Sequence, residues 1–488
     1  MNTKTAPTRP PPIDREAAKA REWKKQPQWR LMPRFAALKI FDKLLENEFR
    51  SPLVAAEQTA ADLRKIIRFA AKQTPYYAQL FRRHGVRADS LHDPEALRKL
   101  PVLSKHDVIQ SQKALSARTL PPGERMMRAT QSSGTTGRQV QVRHSFQSAF
   151  LSAALAQRHA RSYGLDPMNA RVEIKAPFDI KPGRDRATNP AGNLVRYPGG
   201  WRQLSYYFET GPGYGFNVSD RMEQQIEWLQ KIQPHYAQSY PGVFEEWLFA
   251  NEGRNPAPSL KALLGVGSQL TPSLEAKLNE SFGVPVHISY GLNEIGKVAM
   301  RCSAGRYHVH TELCLVEIVD ESGKLCAPGE VGHLLVTGLK NFAMPLIRYD
   351  TGDLAEVGEG ECACGRTLPF FAEIAGRYRR YAGLPAGTRE RVRAIRHAIE
   401  KTPPEGIAFL RRYQLHQDCE NRFTLRLKTV VPAPDAFRQA ILEAWAPVAE
   451  APLTIVEMDE ISTSPGGKLL DFVSDLQQDR ASSPILAR

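Results

Sequence analysis

The chain has 488 residues, 42% of them hydrophobic and 24% charged, with a formal net charge of +14. That length exceeds one ordinary domain, the composition excludes a disordered chain, and no run of about 18 apolar residues occurs that would form a transmembrane helix. Six cysteines in so long a chain exclude a secreted disulfide framework.

Residues 1–54 read as a flexible, proline-rich, basic extension running into a helix. They contain acids and lack an apolar signal-peptide core, so a cytoplasmic protein is expected. From 55 to 85, apolar residues at helical spacing predict a helix stopped by Gly85, and LPVLSKHDVIQSQKAL predicts a turn entering another helix. The stretch TQSSGTTGRQVQVRHS, 130–145, is a hydroxyl- and glycine-rich loop with alternating apolar residues on its C-terminal side. An amphipathic helix follows, ended by Gly164.

Between 171 and 290 short apolar runs (RVEIKA, YAQSYP, ALLGVGS, VHISYG) alternate with helical stretches, the signature of an α/β domain with a largely parallel sheet. From 306 to 357 the pattern changes to strands and tight turns, predicting a β subdomain of hairpins. After GRYRRYAG it resets to helix–strand–strand–helix–strand, a compact α+β domain. The fold class is α/β, with a large domain over 55–376 and a small domain over 377–488 divided at the Gly/Arg/Tyr-rich stretch 376–384. There is no internal repeat.

Ser132, Ser133, Gly134, Thr135, Thr136 and Gly137 offer hydroxyl and backbone donors with glycine freedom, either as a cradle for phosphate or as a polar turn. A Walker loop would need a lysine that is missing here. Glu294, three residues beyond Gly291 in ISYGLNEIG, is either a solvated loop residue or a Mg²⁺ ligand. Asp350 and Asp353 in LIRYDTGDL are turn caps by default, and Asp353 has the chemistry to accept two ribose hydroxyls. Lys468 in STSPGGKLLDF stands on a glycine-rich loop able to deliver a point charge to a carboxylate or phosphate. Cys302, His308, Cys362 and Cys364 form a Cys₃His set suited to structural zinc, with His310 as a competitor for His308 and buried free thiols as the alternative. Cys314, Cys326 and Cys419 read as isolated thiols.

SSGTTG, YGLNE, YDTGDL, GR and a late GGK, in this order, resemble the adenylate-forming superfamily, and more narrowly the phenylacetate–coenzyme A ligase and coenzyme F390 synthetase branch. TPYYAQLFRRHGV, LPVLSKHDV and CACGRTLPFFAEIAGR support the narrower likeness, which spans roughly residues 70–475. The resemblance implies ATP phosphates on Ser132–Gly137 and Mg²⁺ on Glu294. Gly267, Ser268, Gln269, Tyr290, Gly291 and Asn293 would line the adenine side, and Asp353 and Arg377 would hold the ribose. Lys468 would bridge the carboxylate and the α-phosphate. The acyl pocket is expected from Tyr236, Tyr240, Gly265, Ile295 and Gly296. The implied reaction converts a carboxylic acid, aromatic or arylacetic, and ATP into acyl-AMP and pyrophosphate, and the acyl group then passes to a thiol such as coenzyme A.

Several positions depart from the family pattern. Asn293 replaces Thr or Ser, and Gln269 replaces Glu. Arg379 and Arg380 stand where relatives carry the acidic hinge pair, which leaves a carrier-protein thiol, an amine or an alcohol as alternative acceptors. Homodimer assembly is admitted. The basic N-terminal region and the altered hinge motivate a different reading, a nucleic-acid-binding scaffold that has lost the chemistry. No helix-turn-helix, RNA-recognition or zinc-finger pattern accompanies the charge, so no nucleic-acid partner is expected.

Overall fold

The computed structural model describes residues 40–131, 140–175, 192–197, 199–202, 209–377, 395, 398–399, 402, 409–448, 452–461 and 472–475. The expectations for Ser132–Gly137, Arg379, Arg380 and Lys468 lie outside these residues. Among the described residues no helix is long and apolar enough to cross a membrane.

Helix α1 (Ile40–Asn47) leads to α2 (Pro52–Gln73) and α3 (Pro75–Arg83). The single helix expected over 55–85 is broken at Thr74, which is extended (φ −110°, ψ 119°). Pro75 explains the break: its ring disfavours a helical residue before it, and it restarts the next helix as first residue. Strands β1 (Met126–Gln131) and β2 (Gln141–Ser145) pair antiparallel, with Gln131 opposite Gln141, so the residues flanking the hydroxyl-rich run form a two-stranded ribbon. Helix α4 (Phe146–Ser162) follows directly, and Gly164 adopts φ +66° just beyond it.

The large sheet is built from β3 (Arg171–Lys175), β4 (Val195–Tyr197), β5 (Gly213–Asn217), β6 (Tyr236–Ser239), β7 (Ala262–Val266), β8 (Val286–Leu292), β9 (Gly296–Arg301), β10 (Tyr307–Val309), β11 (Cys314–Val319), β12 (Val331–Gly338), β13 (Tyr349–Val357) and β14 (Phe370–Arg377). Their spatial order is β11–β12–β13–β14–β10–β9–β8–β7–β6–β3–β5–β4. Pairings from β5 through β3, β6 and β7 to β8 are parallel, and those from β8 onward are antiparallel. The hairpin region expected as a β subdomain is therefore hydrogen-bonded to the parallel strands as one continuous sheet. Helices α5 (Met222–Ile232), α6 (Pro241–Ala250) and α7 (Pro272–Phe282) supply the crossovers between parallel strands. From β3 the chain runs to β5 on one side and returns to β6 on the other, so the order reverses at β3.

A second sheet, β17–β16–β15–β18, comprises β15 (Leu410–Gln417), β16 (Phe423–Thr429), β17 (Leu453–Glu457) and β18 (Phe472–Ser474), with helix α8 (Asp435–Trp445). It has its own core around Phe423, Leu425, Ile441, Trp445 and Phe472. The last strand, β18, was not anticipated from the sequence; it pairs parallel with β15, Phe472 lying opposite Leu415. This sheet meets α6 through Arg412, whose guanidinium is 2.6 Å from Glu246, and through Arg411, 3.6 Å from the centre of the Phe249 ring.

Arg158 of α4 is fully buried and joins distant segments. Its Nη1 donates to Leu44 O at 2.9 Å and to Glu312 Oε1 at 2.8 Å, and its Nε lies 3.6 Å from Glu48. Its Nη2 donates to His310 Nδ1. An arginine only donates, so His310 carries its proton on Nε2 and passes it toward His159 Nε2 at 2.6 Å. Burial holds both imidazoles well below the usual histidine range, so they are neutral. Replacing Arg158 with leucine strands Glu312 without its cation and leaves Glu48 with Arg366 alone. We expect a loss of about 3–5 kcal/mol, read as a lowered urea midpoint of the large domain.

Candidate active site

The expected nucleotide residues gather at the carboxyl ends of β6, β7 and β8, where open α/β sheets bind ligands. Gly267 follows β7 in a left-handed conformation, φ +72°, which favours glycine there. Gln269 donates from Nε2 to Ile374 O of β14 at 3.2 Å, joining this turn to the antiparallel half of the sheet. Tyr290 near the end of β8 is buried and donates from Oη to Asp353 Oδ2 at 2.7 Å. In the β13–β14 register Asp353 lies opposite Arg377, so the expected ribose pair is adjacent in the backbone.

Glu294 lies in the β8–β9 turn, largely buried, and accepts from Tyr349 Oη at 3.0 Å. Both carboxylates expected to act on the nucleotide are thus held by phenols, a pairing the motifs did not announce. The same turn is tied to the base of the hydroxyl-rich loop. Thr130 donates from Oγ1 to Asn293 O at 2.8 Å, and His144 Nε2 lies 2.9 Å from Thr130 Oγ1 and 3.1 Å from Asn293 O. The carbonyl only accepts, so Nε2 carries the proton. Asn341 secures the far end of that ribbon, accepting from Ser145 N at 3.1 Å and donating to Arg143 O at 2.9 Å. Thr130 and His144 sit beside the SSGTTG run in sequence, so adjacency was the available signal; Tyr349 and Asn341 had none.

The expected acyl-pocket residues separate. Tyr240, at the end of β6, caps α6, and Gly265 pairs with Ile288. Ile295 is buried, and Gly296 combines φ +111° with a virtual Cβ only 3.0 Å from Ser152 Oγ, so a larger residue would be strained and crowded. Tyr236 is not brought to this group. It begins β6 at the amino end, and its hydroxyl accepts from Asp166 N at 2.8 Å and Asn169 Nδ2 at 3.3 Å. Including it treated the two ends of one short strand as one place.

The Cys₃His set is brought together by the β9–β10 hairpin and the turn before β14. The ligand atoms of Cys302, His308, Cys362 and Cys364 all lie within 4.8 Å of one another and are able to hold a metal ion. Cys302 and Cys362 sulfurs are 3.6 Å apart, and Cys364 Sγ is 3.2 Å from His308 Nε2. His308 donates from Nδ1 to Leu368 O at 3.0 Å, which turns the Nε2 lone pair toward the thiols. Hydrogen bonds, first from Cys302 and then from His308, pull the Cys364 thiol well below its ordinary range. His310, the competing imidazole, is occupied by Arg158 and His159.

Residues 214–344 match the family described as AMP-binding enzyme. A phenylacetate–coenzyme A ligase of Thermus thermophilus is 27% identical over 348 residues, 69% of this chain and 73% of that protein. The enzyme of the same name from Escherichia coli is 26% identical over 64% of this chain and 69% of its own. A 2-hydroxyisobutyryl-CoA ligase in its postadenylation state shares the fold with a TM-score of 0.69 at 16% identity, covering 88% of this chain and 91% of that one. In sequence the chain is thus similar to AMP-binding ligases over part of its length, and in fold to an acyl-coenzyme A ligase. The residues matched to that family, 214–344, include Tyr290, Glu294, Cys302 and His308.

The metal set stands apart from the phenol–carboxylate pairs, on the turn that also holds Arg366 against Glu48 at 3.3 Å. We expect metal analysis of the purified protein to find about one transition-metal ion per chain. The double variant Cys302→Ser/Cys364→Ser should lose it and show a lower thermal midpoint. A metal-free wild type of unchanged stability would sink the assignment.

Proposed function

We propose that the protein activates a carboxylic acid, aromatic or arylacetic, with ATP and transfers the acyl group to a thiol such as coenzyme A. The observation that carries this reading is the convergence of Asp353 and Glu294, each fixed by a phenol, on the carboxyl end of β8 beside the base of the hydroxyl-rich loop. Asp353 would accept the ribose hydroxyls, with Tyr290 keeping its carboxylate oriented. Ser132–Gly137 would hold the β- and γ-phosphates, a role supported by the hydrogen bond from the preceding Thr130 to Asn293 O, one residue before Glu294.

Carboxylate and triphosphate repel each other, so the reaction needs positive charge at the point of attack. Glu294 would hold Mg²⁺, which supplies charge neutralisation on the phosphate oxygens when bound. Lys468 would bridge the attacking carboxylate oxygen and the α-phosphate. That oxygen bonds to the α-phosphorus, the bond to the bridging oxygen breaks, and pyrophosphate leaves. In the second half-reaction the acceptor sulfur attacks the acyl carbon, its proton is released, and AMP departs. The small domain carries Lys468, so its position relative to α6 would decide which half-reaction is assembled.

Zinc is the ion that fits three thiols and one imidazole in a closed tetrahedral set, where it would act structurally by pinning the β9–β10 hairpin to the chain before β14. A carrier-protein thiol, an amine or an alcohol are the other acceptors this chemistry allows.

ATP–pyrophosphate exchange with a panel of aryl and arylacetic acids tests the reading, and the absence of exchange with every acid in the presence of Mg²⁺ would falsify it. Glu294→Gln should lower exchange by about 10²-fold or more. Lys468→Ala should abolish exchange yet still consume a pre-made acyl-AMP, whereas near wild-type exchange would remove the lysine from the reaction. Mass analysis of the products formed with coenzyme A and with hydroxylamine identifies the acceptor.

A further inference from the structure

Strand β10 is short, and its hold on β14 is slight. Two of its residues, Tyr307 and His308, pair with β14, opposite Phe371 and Phe370. One more hydrogen bond runs beside them, from Val309 N to Pro369 O at 2.8 Å. The other neighbour of β14, β13, meets it in a ladder interrupted between Leu354 and Ala355 and again between Ala355 and Val357. Each interruption disrupts the ladder locally. Hydrogen bonds alone therefore do little to fix where β14 starts.

The Cys₃His set brackets that pairing. His308 is itself one of the paired residues, Cys302 lies in the turn entering β10, and Cys362 and Cys364 precede β14. His308 also donates to Leu368 O, two residues before β14. A metal ion held by all four side chains would cross-link the segment entering β10 to the segment entering β14, and so oppose any slip between them.

From that pairing a file of buried rings runs to a nucleotide carboxylate. Tyr307 stacks on Phe371, with centroids 5.2 Å apart and planes 7° from parallel. Tyr290 meets Phe371 edge-on, with centroids 5.9 Å apart at 89°. Tyr290 Oη donates to Asp353 Oδ2 at 2.7 Å. All three rings are buried, and a ring held in a close-packed interior has little room to turn. Strand β14 also carries Ile374, whose carbonyl accepts from Gln269, and Arg377, opposite Asp353.

We propose that the metal-loaded Cys₃His set fixes the direction of the Asp353 carboxylate through Tyr307, Phe371 and Tyr290, so that metal loss weakens the grip on the ribose hydroxyls. Tyr307 and Phe371 are positioning residues, since they act through Tyr290. The proposal rests on the reading of Asp353 as the ribose acceptor and gives the metal set a task beyond its own hairpin.

Calorimetry with AMP and with 2′,3′-dideoxy-AMP reads the ribose contact, because only the first carries the hydroxyls. In the metal-loaded protein AMP should bind at least about tenfold more tightly. Removing the metal with a chelator, at temperatures below the thermal midpoint, should bring that ratio close to one. Phe371→Leu should do the same with its metal still bound, whereas general loss of fold would weaken both nucleotides alike. Should Phe371→Leu fail to fold, Tyr290→Phe keeps the ring and carries the test: its ratio should no longer respond to metal removal. A further readout needs no ligand. The near-ultraviolet difference between wild type and Tyr290→Phe reports the phenol's bond to the carboxylate, and it should shift when the metal is removed. A ratio that survives metal removal, an unshifted Tyr290 spectrum or a protein that takes up no metal overturns the proposal. A metal-dependent Tyr290 spectrum in a protein that binds neither nucleotide upholds the positioning and overturns the nucleotide reading alone.

Discussion

Strand β8 is parallel to β7 on one side and antiparallel to β9 on the other, and the arrangement of the site depends on that change of sense. A parallel strand delivers its carboxyl end to the ligand side of the sheet. An antiparallel neighbour then forces the chain to turn back at that same edge. The result is a short hairpin at the ligand edge, carrying Tyr290, Gly291, Asn293, Glu294 and Lys297 within eight positions. Phenols from β8 and β13 fix the two carboxylates, so orientation is set before any ligand arrives. Such preorganisation lowers the reorganisation needed when charge shifts in the reaction.

Much of this was legible in the sequence because it was local. Hydroxyl and glycine clusters, the carboxylate after YGLN and the aspartate after a Thr-Gly turn each declare a chemistry within a few residues. The Cys₃His set was legible for the same reason, since residue type alone restricts what three thiols and an imidazole can bind. The break at Thr74 was also written in the sequence, as Pro75, but the apolar periodicity ran through it and masked the stop.

What was not legible depends on register across the sheet. Tyr349 is matched to Glu294, and Tyr290 to Asp353, only after β13 and β14 are hydrogen-bonded into the sheet that holds β8. The misplacement of Tyr236 has the same origin. A four-residue strand written YAQS does not reveal that one end faces the ligand edge and the other meets the loop at Asp166 and Asn169. Joining the hairpin strands to the parallel ones in one sheet follows from β9 and β10, which are short and lack a pattern of their own.

In the small domain, β15 has two attachments. Arg411 and Arg412, near its start, rest on α6, and its far half binds β18, which begins four positions after Lys468 (472 minus 468). One strand is thus both the foot of the small domain on the large one and the anchor for the chain that returns from the lysine. In mechanical terms it is a beam with a fastening at one end and a load at the other. The Arg412–Glu246 pair and the β15–β18 pairing thus bear on one strand from its two ends.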